Sequence, residues 1–229
     1  MEQAISIRHR ITGLLESAIA KKGIVLYVLQ HCRGLCEIRL HLPEARMEAW
    51  NRPQHIKIKV AAGKYRDYTA AVWDSHTQSC SLFIDTAHDG PGTQWARSLQ
   101  TGQPVLYLGM DAYGRPPADC EQHIFLGDPS AIGHFLAIMQ LCNGIGSISG
   151  SIIVEDPQAR DELGSSFPSF SIGMATGIEE IGRSLAPVCQ RAGKHFYLAG
   201  NSYLVQNIRK LLRQLGVAPH QMQAQGFWK

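Results

Sequence analysis

The sequence predicts a two-part fold, a small antiparallel β-barrel followed by an α/β unit built on a parallel sheet, and three observations lead there. Between residues 24 and 108, short β-branched or alternating runs are broken by Gly, Pro, Asn and Asp, the pattern of a small barrel. Residues 109–119, Gly-Met-Asp-Ala-Tyr-Gly-Arg-Pro-Pro-Ala-Asp, have the composition of a connection. Beyond them apolar strands alternate with helical periodicity, which indicates a parallel sheet with helices on its faces. The length of 229 residues suits two small domains, each able to bury its own apolar surface.

Taken in order, Ile5, Ile11, Leu14, Leu15, Ala18 and Ile19 recur at near-helical spacing, so an amphipathic helix is expected over residues 1–23, with Lys21 and Lys22 at its negative end and Gly23 stopping it. Strands are expected at 24–29, 35–42, 56–60, 68–72, 79–85 and 104–108, which makes 24–117 the β domain. In the second domain, 118–229, strands are expected at 123–126, 151–154 and 195–198. Helices are expected at 131–141, 178–189 and 203–215. Ligands of such a sheet lie at the carboxyl ends of its strands, which places Gly127, Asp128, Ser130, Gly200 and Asn201 on the binding edge.

Composition narrows the function. The chain is 45% hydrophobic and 18% charged, and a net charge of +3 is too mild to argue for a nucleic-acid surface. Its six cysteines lack Cys-x-x-Cys spacing and the chain opens without a secretory pattern, so thiols in the cytoplasm are expected. No run reaches the ~18 apolar residues of a membrane span. The order His31-Cys32, Cys36, His41 lacks zinc-ligand spacing, and no metal site is expected. Gly144-Ile-Gly-Ser-Ile-Ser-Gly150 precedes a strand and reads as a loop, without the arrangement of a nucleotide motif or a nucleophile elbow.

The span from Tyr65 to Trp95 carries the chemistry. Arg66 can bind phosphate through charge-assisted, often bidentate bonds; Tyr68 lies on the same face of an extended strand; Thr69 adds a hydroxyl beside it. About twenty-five residues on, the glycine turn at Gly90 and Gly92 offers backbone N–H groups to an anion. No Lys or Arg stands between Arg66 and Arg97, which fits anion binding by backbone amides. Together these suit a ligand with a flat ring and phosphates. Trp95 reads first as core, and His88 as a turn or cap residue.

Five motifs in order, Arg66-x-Tyr68-Thr69, His88-x-Gly90-Pro91-Gly92-x-x-Trp95, Leu126-Gly127-Asp128 before a helix, Ala199-Gly200 followed by Arg209, and the closing Gly226-Phe227-Trp228, resemble those of the siderophore-interacting proteins, flavin reductases of the ferredoxin-reductase superfamily. The resemblance implies that the β-barrel binds FAD through Arg66, Tyr68, Thr69, His88, Gly90, Gly92 and Thr93, with Trp228 near the flavin. It implies that NADH or NADPH is held by Gly127, Asp128, Ser130, Gly200 and Asn201, with Gly127 and Gly200 leaving room for it to pass. The implied activity is a ferric-siderophore reductase that releases Fe(II), with no catalytic side chain because the cofactor carries the redox step. Lys57, Lys59 and Lys64 cluster near the flavin strand and could attract an anionic ferric siderophore.

The family commonly has Gly-Glu where this chain has Gly200-Asn201, and an acidic residue where Pro129 stands. The acids at Glu155 and Asp156 lean towards NADH, and Arg160 could reverse that. Two alternatives follow: a flavin-binding module with lost or weak turnover, and a general NAD(P)H:flavin oxidoreductase without siderophore preference.

Overall fold

The computed structural model describes residues 20–174 and 178–228. Strands β1 (Lys21–Cys32), β2 (Leu35–His41), β3 (Gln54–Ala61), β4 (Lys64–Asp74), β5 (Ser79–Asp85) and β6 (Pro104–Ala112) close into a barrel in the order β1-β2-β5-β4-β3-β6. Every pairing is antiparallel. On β3 the period-2 pattern works as it must: Ile56, Ile58 and Val60 are buried while Lys57 and Lys59, which alternate with them, are half-buried. Ile38, Leu40, Leu82 and Tyr107 complete the filling of the barrel.

The expected amino-terminal helix lies outside the described residues except at its end, and there the reading is corrected. Lys21, Lys22 and Gly23 belong to β1, where they pair with Tyr107, Leu106 and Val105 of β6. Gly23 is needed for closeness to β2, since a Cβ there would come within 2.6 Å of the Leu42 side chain.

A helix, α1 (Pro91–Ser98), joins β5 to β6. The second unit follows as β7 (Gln122–Gly127), a 3₁₀ turn (Pro129–Ala131), α2 (Ile132–Cys142), β8 (Ser147–Val154), α3 (Pro157–Ser166), β9 (Ser171–Met174), α4 (Ile178–Cys189), β10 (Lys194–Asn201), α5 (Ser202–Gln214) and β11 (Met222–Trp228). Its sheet runs β11-β10-β7-β8-β9, all parallel. The chain leaves β7 towards β8 and β9 and then returns to β10 on the other side, so the topological switch point lies between β7 and β10. The stretch expected to be a loop before residue 151 is shorter than that, because β8 opens at Ser147 and takes in Gly150. No described helix is long and apolar enough to cross a membrane.

The two units share a core. Cys32, Leu35, Ala71 and Phe83 of the barrel pack in one cluster with Ile132, Phe135, Phe167 and Tyr197 of the α/β unit. A polar clamp reinforces the seam. The β4–β5 ladder is irregular between Ala71 and Asp74, and Val72 takes a positive φ of 47°, an uncommon conformation for a β-branched residue. The adjacent backbone of Trp73 is thereby free of that ladder. The Gln140 amide on α2 accepts from Trp73 N–H at 3.0 Å and donates to Trp73 C=O at 2.7 Å. Gln140→Leu is expected to lower stability by about 1–2 kcal/mol in urea denaturation through the two lost bonds.

Candidate functional site

A cleft of ≈540 Å³ opens where the barrel meets the start of α2. Its first wall is built by β4 and α1. Arg66, Tyr68 and Thr69 line it from the strand, and Gly90, Pro91, Gly92 and Thr93 line it from the helix. The supposed glycine turn is therefore the first turn of α1, a finding that sharpens the expectation. Pro91 opens the helix, no side chain caps it, and Arg97 in its last turn donates to Thr86 C=O at 2.8 Å. The early N–H groups of an uncapped helix are the ordinary donors for an anion. Tyr68 presses on this turn so closely that a Cβ on Gly92 would fall 2.4 Å from its hydroxyl oxygen. The Tyr68 ring stacks on Trp95 at 5.9 Å and 15°, and burial pushes its phenol up to about 12, so the hydroxyl keeps its proton. Trp95 itself packs against the barrel core.

The rest of the lining is largely aromatic. Ser130, Gly133 and His134 face the cleft from the start of α2, with His55 from β3 and Phe227 and Trp228 from β11. His55 stacks flat on Tyr113, 4.7 Å away and 4° from parallel, and Gln225 Nε2 lies 3.4 Å from its Nε2. An amide NH₂ so placed donates, which makes Nε2 the bare nitrogen of His55. The rings of His55 and His134 are 6.3 Å apart, and Phe227 stands edge-on to His134 at 5.7 Å. Burial, with His55 adding to it, pushes His134 down to about 3, so its imidazole is neutral at ordinary pH. His88 lies over Trp228 at 4.6 Å.

The charge of the cleft is arranged from outside it. Arg66 is the one Lys or Arg among the described lining residues, against Asp67, Asp85 and Asp89. Asp67 is paired with Lys57 at 3.3 Å, Asp89 with Arg97 at 3.7 Å, and Asp85 with His88 at 3.8 Å. Burial raises the Asp85 carboxyl above the usual range, and the neighbouring Asp128 works in the same direction. Lys57 thus reaches the cleft through Asp67, while Lys59 and Lys64 do not line it.

Behind Ser130 sits the switch point. Asp128 is buried, and its Oδ1 accepts from the backbone N–H of Ser130 at 2.9 Å and from the Ser130 hydroxyl. Its Oδ2 accepts from Asn201 N–H across the gap between β7 and β10. Ser130 Oγ in turn accepts from Trp228 Nε1 at 3.1 Å. Burial raises the Asp128 carboxyl above the usual range, and these donors work against the rise. Gly200 has a φ of 117°, and a Cβ there would strike the Asp128 carboxylate at 2.4 Å; one on Gly127 would meet Ala199 C=O at 2.2 Å. The space beside both glycines is therefore filled by protein. The Asn201 side chain is also engaged, since its Oδ1 accepts from Tyr203 N–H at 2.9 Å and Leu204 N–H at 3.1 Å and so caps α5.

Of the sequence-predicted residues, the cleft gathers Arg66, Tyr68, Thr69, His88, Gly90, Gly92, Thr93, Ser130 and Trp228, while Gly127, Asp128, Gly200 and Asn201 form the frame behind it. Sequence reading missed His55, His134 and Phe227 as lining residues. His134 sits in an apolar helical run and His55 at the start of an alternating strand, and neither context signals a ligand.

Residues 120–229 match the family model described as siderophore-interacting protein. No curated protein matches the chain. Among solved structures, the siderophore-interacting protein of Acinetobacter baumannii aligns over 91% of this chain and 90% of its own at 14% identity and a TM-score of 0.71. The siderophore-interacting protein SipS of Aeromonas hydrophila aligns over 91% of each chain at 16% identity and 0.69. A ferredoxin NADP+ reductase of Neisseria gonorrhoeae, solved with bound FAD and NADP, aligns over 92% of this chain and 98% of its own at 18% identity and 0.68. The barrel-plus-parallel-sheet architecture is thus the ferredoxin reductase-like fold.

Two outcomes test the site's physics. Both oxygens of Asp128 face backbone N–H groups, so the amide of Asp128→Asn must set a donor against a donor in either orientation. A loss of about 1–3 kcal/mol in urea denaturation is expected. His134, held down to about 3 in the fold, protonates near 6.5 when unfolded, so its contribution is complete above pH 6.5 and is lost as pH falls from there towards 3. Urea midpoints should therefore drop with acidification across that window, and the drop should be shallower in His134→Phe.

Proposed function

We propose that this chain is a flavin-dependent oxidoreductase using NAD(P)H and FAD to reduce a ferric siderophore or another ferric chelate, with release of Fe(II). The observation that carries the reading is the convergence, in one cleft, of Arg66, Tyr68 and Thr69 with the uncapped first turn of α1, next to the switch point of a parallel sheet. The donor set fits FAD: a guanidinium and helix N–H groups for phosphates, and aromatic walls for a flat ring. The family match over residues 120–229 and the shared fold add to this support.

In this reading residues 24–117 hold FAD and 118–229 hold the nicotinamide nucleotide. When bound, FAD supplies the exchange between hydride and single-electron transfer. The chain's own work is placement and the exclusion of water. Arg66 and the amides of Gly92 and Thr93 take the phosphates, Tyr68 and Trp228 flank the ring, and Thr69 and His88 complete the wall. Ser130, with Gly127, Asp128, Gly200 and Asn201 behind it, forms the nucleotide edge. Lys57, Lys59 and Lys64, around the β3–β4 hairpin, would draw in an anionic chelate, although Lys57 also neutralises Asp67.

A second reading has an observation in its favour. The space beside Gly127 and Gly200 is filled by protein, and the side chain of Asn201 is spent on capping α5, which suits a flavin-binding module with weak turnover. Absorption spectra separate these readings. The purified protein should be yellow or take up FAD, be bleached without air by NADH or NADPH, and regain colour on addition of ferric siderophore. Failure to take up FAD defeats the flavin reading; colour that neither nucleotide bleaches leaves the module; recovery no faster with ferric siderophore than with other ferric chelates leaves a general reductase. Arg66→Ala combined with Tyr68→Ala should abolish flavin retention.

A further inference from the structure

We infer that His134 is a ligand-positioning residue that binds the ring end of the flavin through its unpartnered imidazole, an assignment that rests on the flavin reading above. Three features of the wall lead to it. His134 is 8% exposed, lines the cleft, and has a buried Nδ1 without a hydrogen-bond partner among the described residues. Buried polar atoms are seldom left in that state, because each costs about 1–3 kcal/mol, so one on a ring that lines a cleft gains a partner when the ring turns to present it to a ligand.

Among the described residues, the protein around it offers no such partner. Phe227 and Phe135 meet the ring as hydrocarbon, and the other polar neighbour, His55, is already fixed beneath Tyr113 with its Nε2 facing Gln225. Gly133, the preceding residue, packs against Phe83 and adds no side chain to the cleft. A ring without hydrogen bonds can turn over or change tautomer at little cost, so it can present either a donor or an acceptor.

The chemistry of the cleft then sorts the two ends of a flavin nucleotide. Phosphates belong at Arg66 and the first turn of α1, where a cation and N–H groups meet. A neutral imidazole among aromatic rings is a poor phosphate site but complements the pyrimidine edge of isoalloxazine, which carries carbonyl acceptors and an N–H donor. Ser130, four residues before His134, is already bonded to Asp128 and Trp228, so it does not compete for that edge.

Titrating riboflavin, which has the ring but no phosphate, alongside FAD tests this by flavin fluorescence, together with melting midpoints of the ligand-free proteins. His134→Phe should weaken both ligands by the same factor, about tenfold or more, and leave the ligand-free midpoint unchanged or raised, since hydrocarbon replaces a nitrogen without a partner. His134→Asn, whose amide stands near the place of Nδ1, should restore binding to within about threefold. Arg66→Ala should weaken FAD much more than riboflavin. His134→Leu is read in the same way and stands in if the Phe variant does not fold. Losses below tenfold, a ligand-free midpoint that falls in step with affinity, or an effect on FAD but not riboflavin would overturn the inference. If wild-type protein binds neither flavin, the flavin reading falls and the inference with it; wild-type binding that survives His134→Phe overturns the inference alone.

Discussion

The buried carboxylate of Asp128 sets the frame on which the cleft depends. A parallel sheet that changes direction at β7 and β10 leaves two strand ends and a helix start side by side, each with backbone N–H groups that need acceptors. Asp128 answers both sides with one group, taking Ser130 at the start of the helical segment and Asn201 at the end of β10. Every neighbour that bonds to it is a donor, so the position requires an acceptor-only side chain. The cost is desolvation, seen in its raised carboxyl, and the surrounding donors offset part of it. Through Ser130 the same group fixes the indole of Trp228, and with it one wall of the cleft.

The other wall depends on the barrel, so the cleft exists only while the two units hold their relative position. The shared apolar core supplies most of that, and Gln140 at the Trp73 backbone adds direction. The irregularity in β4 is what frees that backbone. The same strand carries Arg66, Tyr68 and Thr69 a few residues earlier, so a single element bears both these lining side chains and the attachment to α2. A shift of the seam would separate the Arg66 side of the cleft from the residues that α2 brings to it.

Short, largely buried runs bounded by turn residues made β2 and β5 legible almost to the residue, and helical periodicity did the same for α4. Four elements escaped for physical reasons, the first of them β9, which at four residues is too short to show a period. α3 buries little beyond Leu163, so its apolar stripe is too thin to read, although the Asp156-Pro157 start was present as a capping signal. β11 lies at the sheet edge with alternate residues in solvent, and its Met-Gln-Ala-Gln-Gly run lacks β-branched residues. The start of α1 looked like a turn because Gly-Pro-Gly is turn composition, and Pro at the first helical position has the same spelling. The site divided in the same way. Residues with charge or special backbone freedom, such as Arg66 and the glycines, announced themselves; His55 and His134 matter through what the fold places around them, which no local pattern encodes.

The electrostatics of the cleft also explain why so few cations were needed in its sequence. A dianionic group surrounded by lysines would be bound strongly but with little orientation, since an ammonium is a flexible point charge. Here the fixed donors are one guanidinium and the amides of a helix start, whose directions are set by backbone. The nearby acids would oppose an anion if left bare, yet Asp67 and Asp89 are paired with cations that themselves lie outside the lining, and burial favours the neutral form of Asp85. Charge is thus balanced at the rim while geometry is set inside. The histidines of the cleft follow the same logic: burial holds His134 uncharged, so it adds no second positive charge beside Arg66, the one Lys or Arg among the described lining residues.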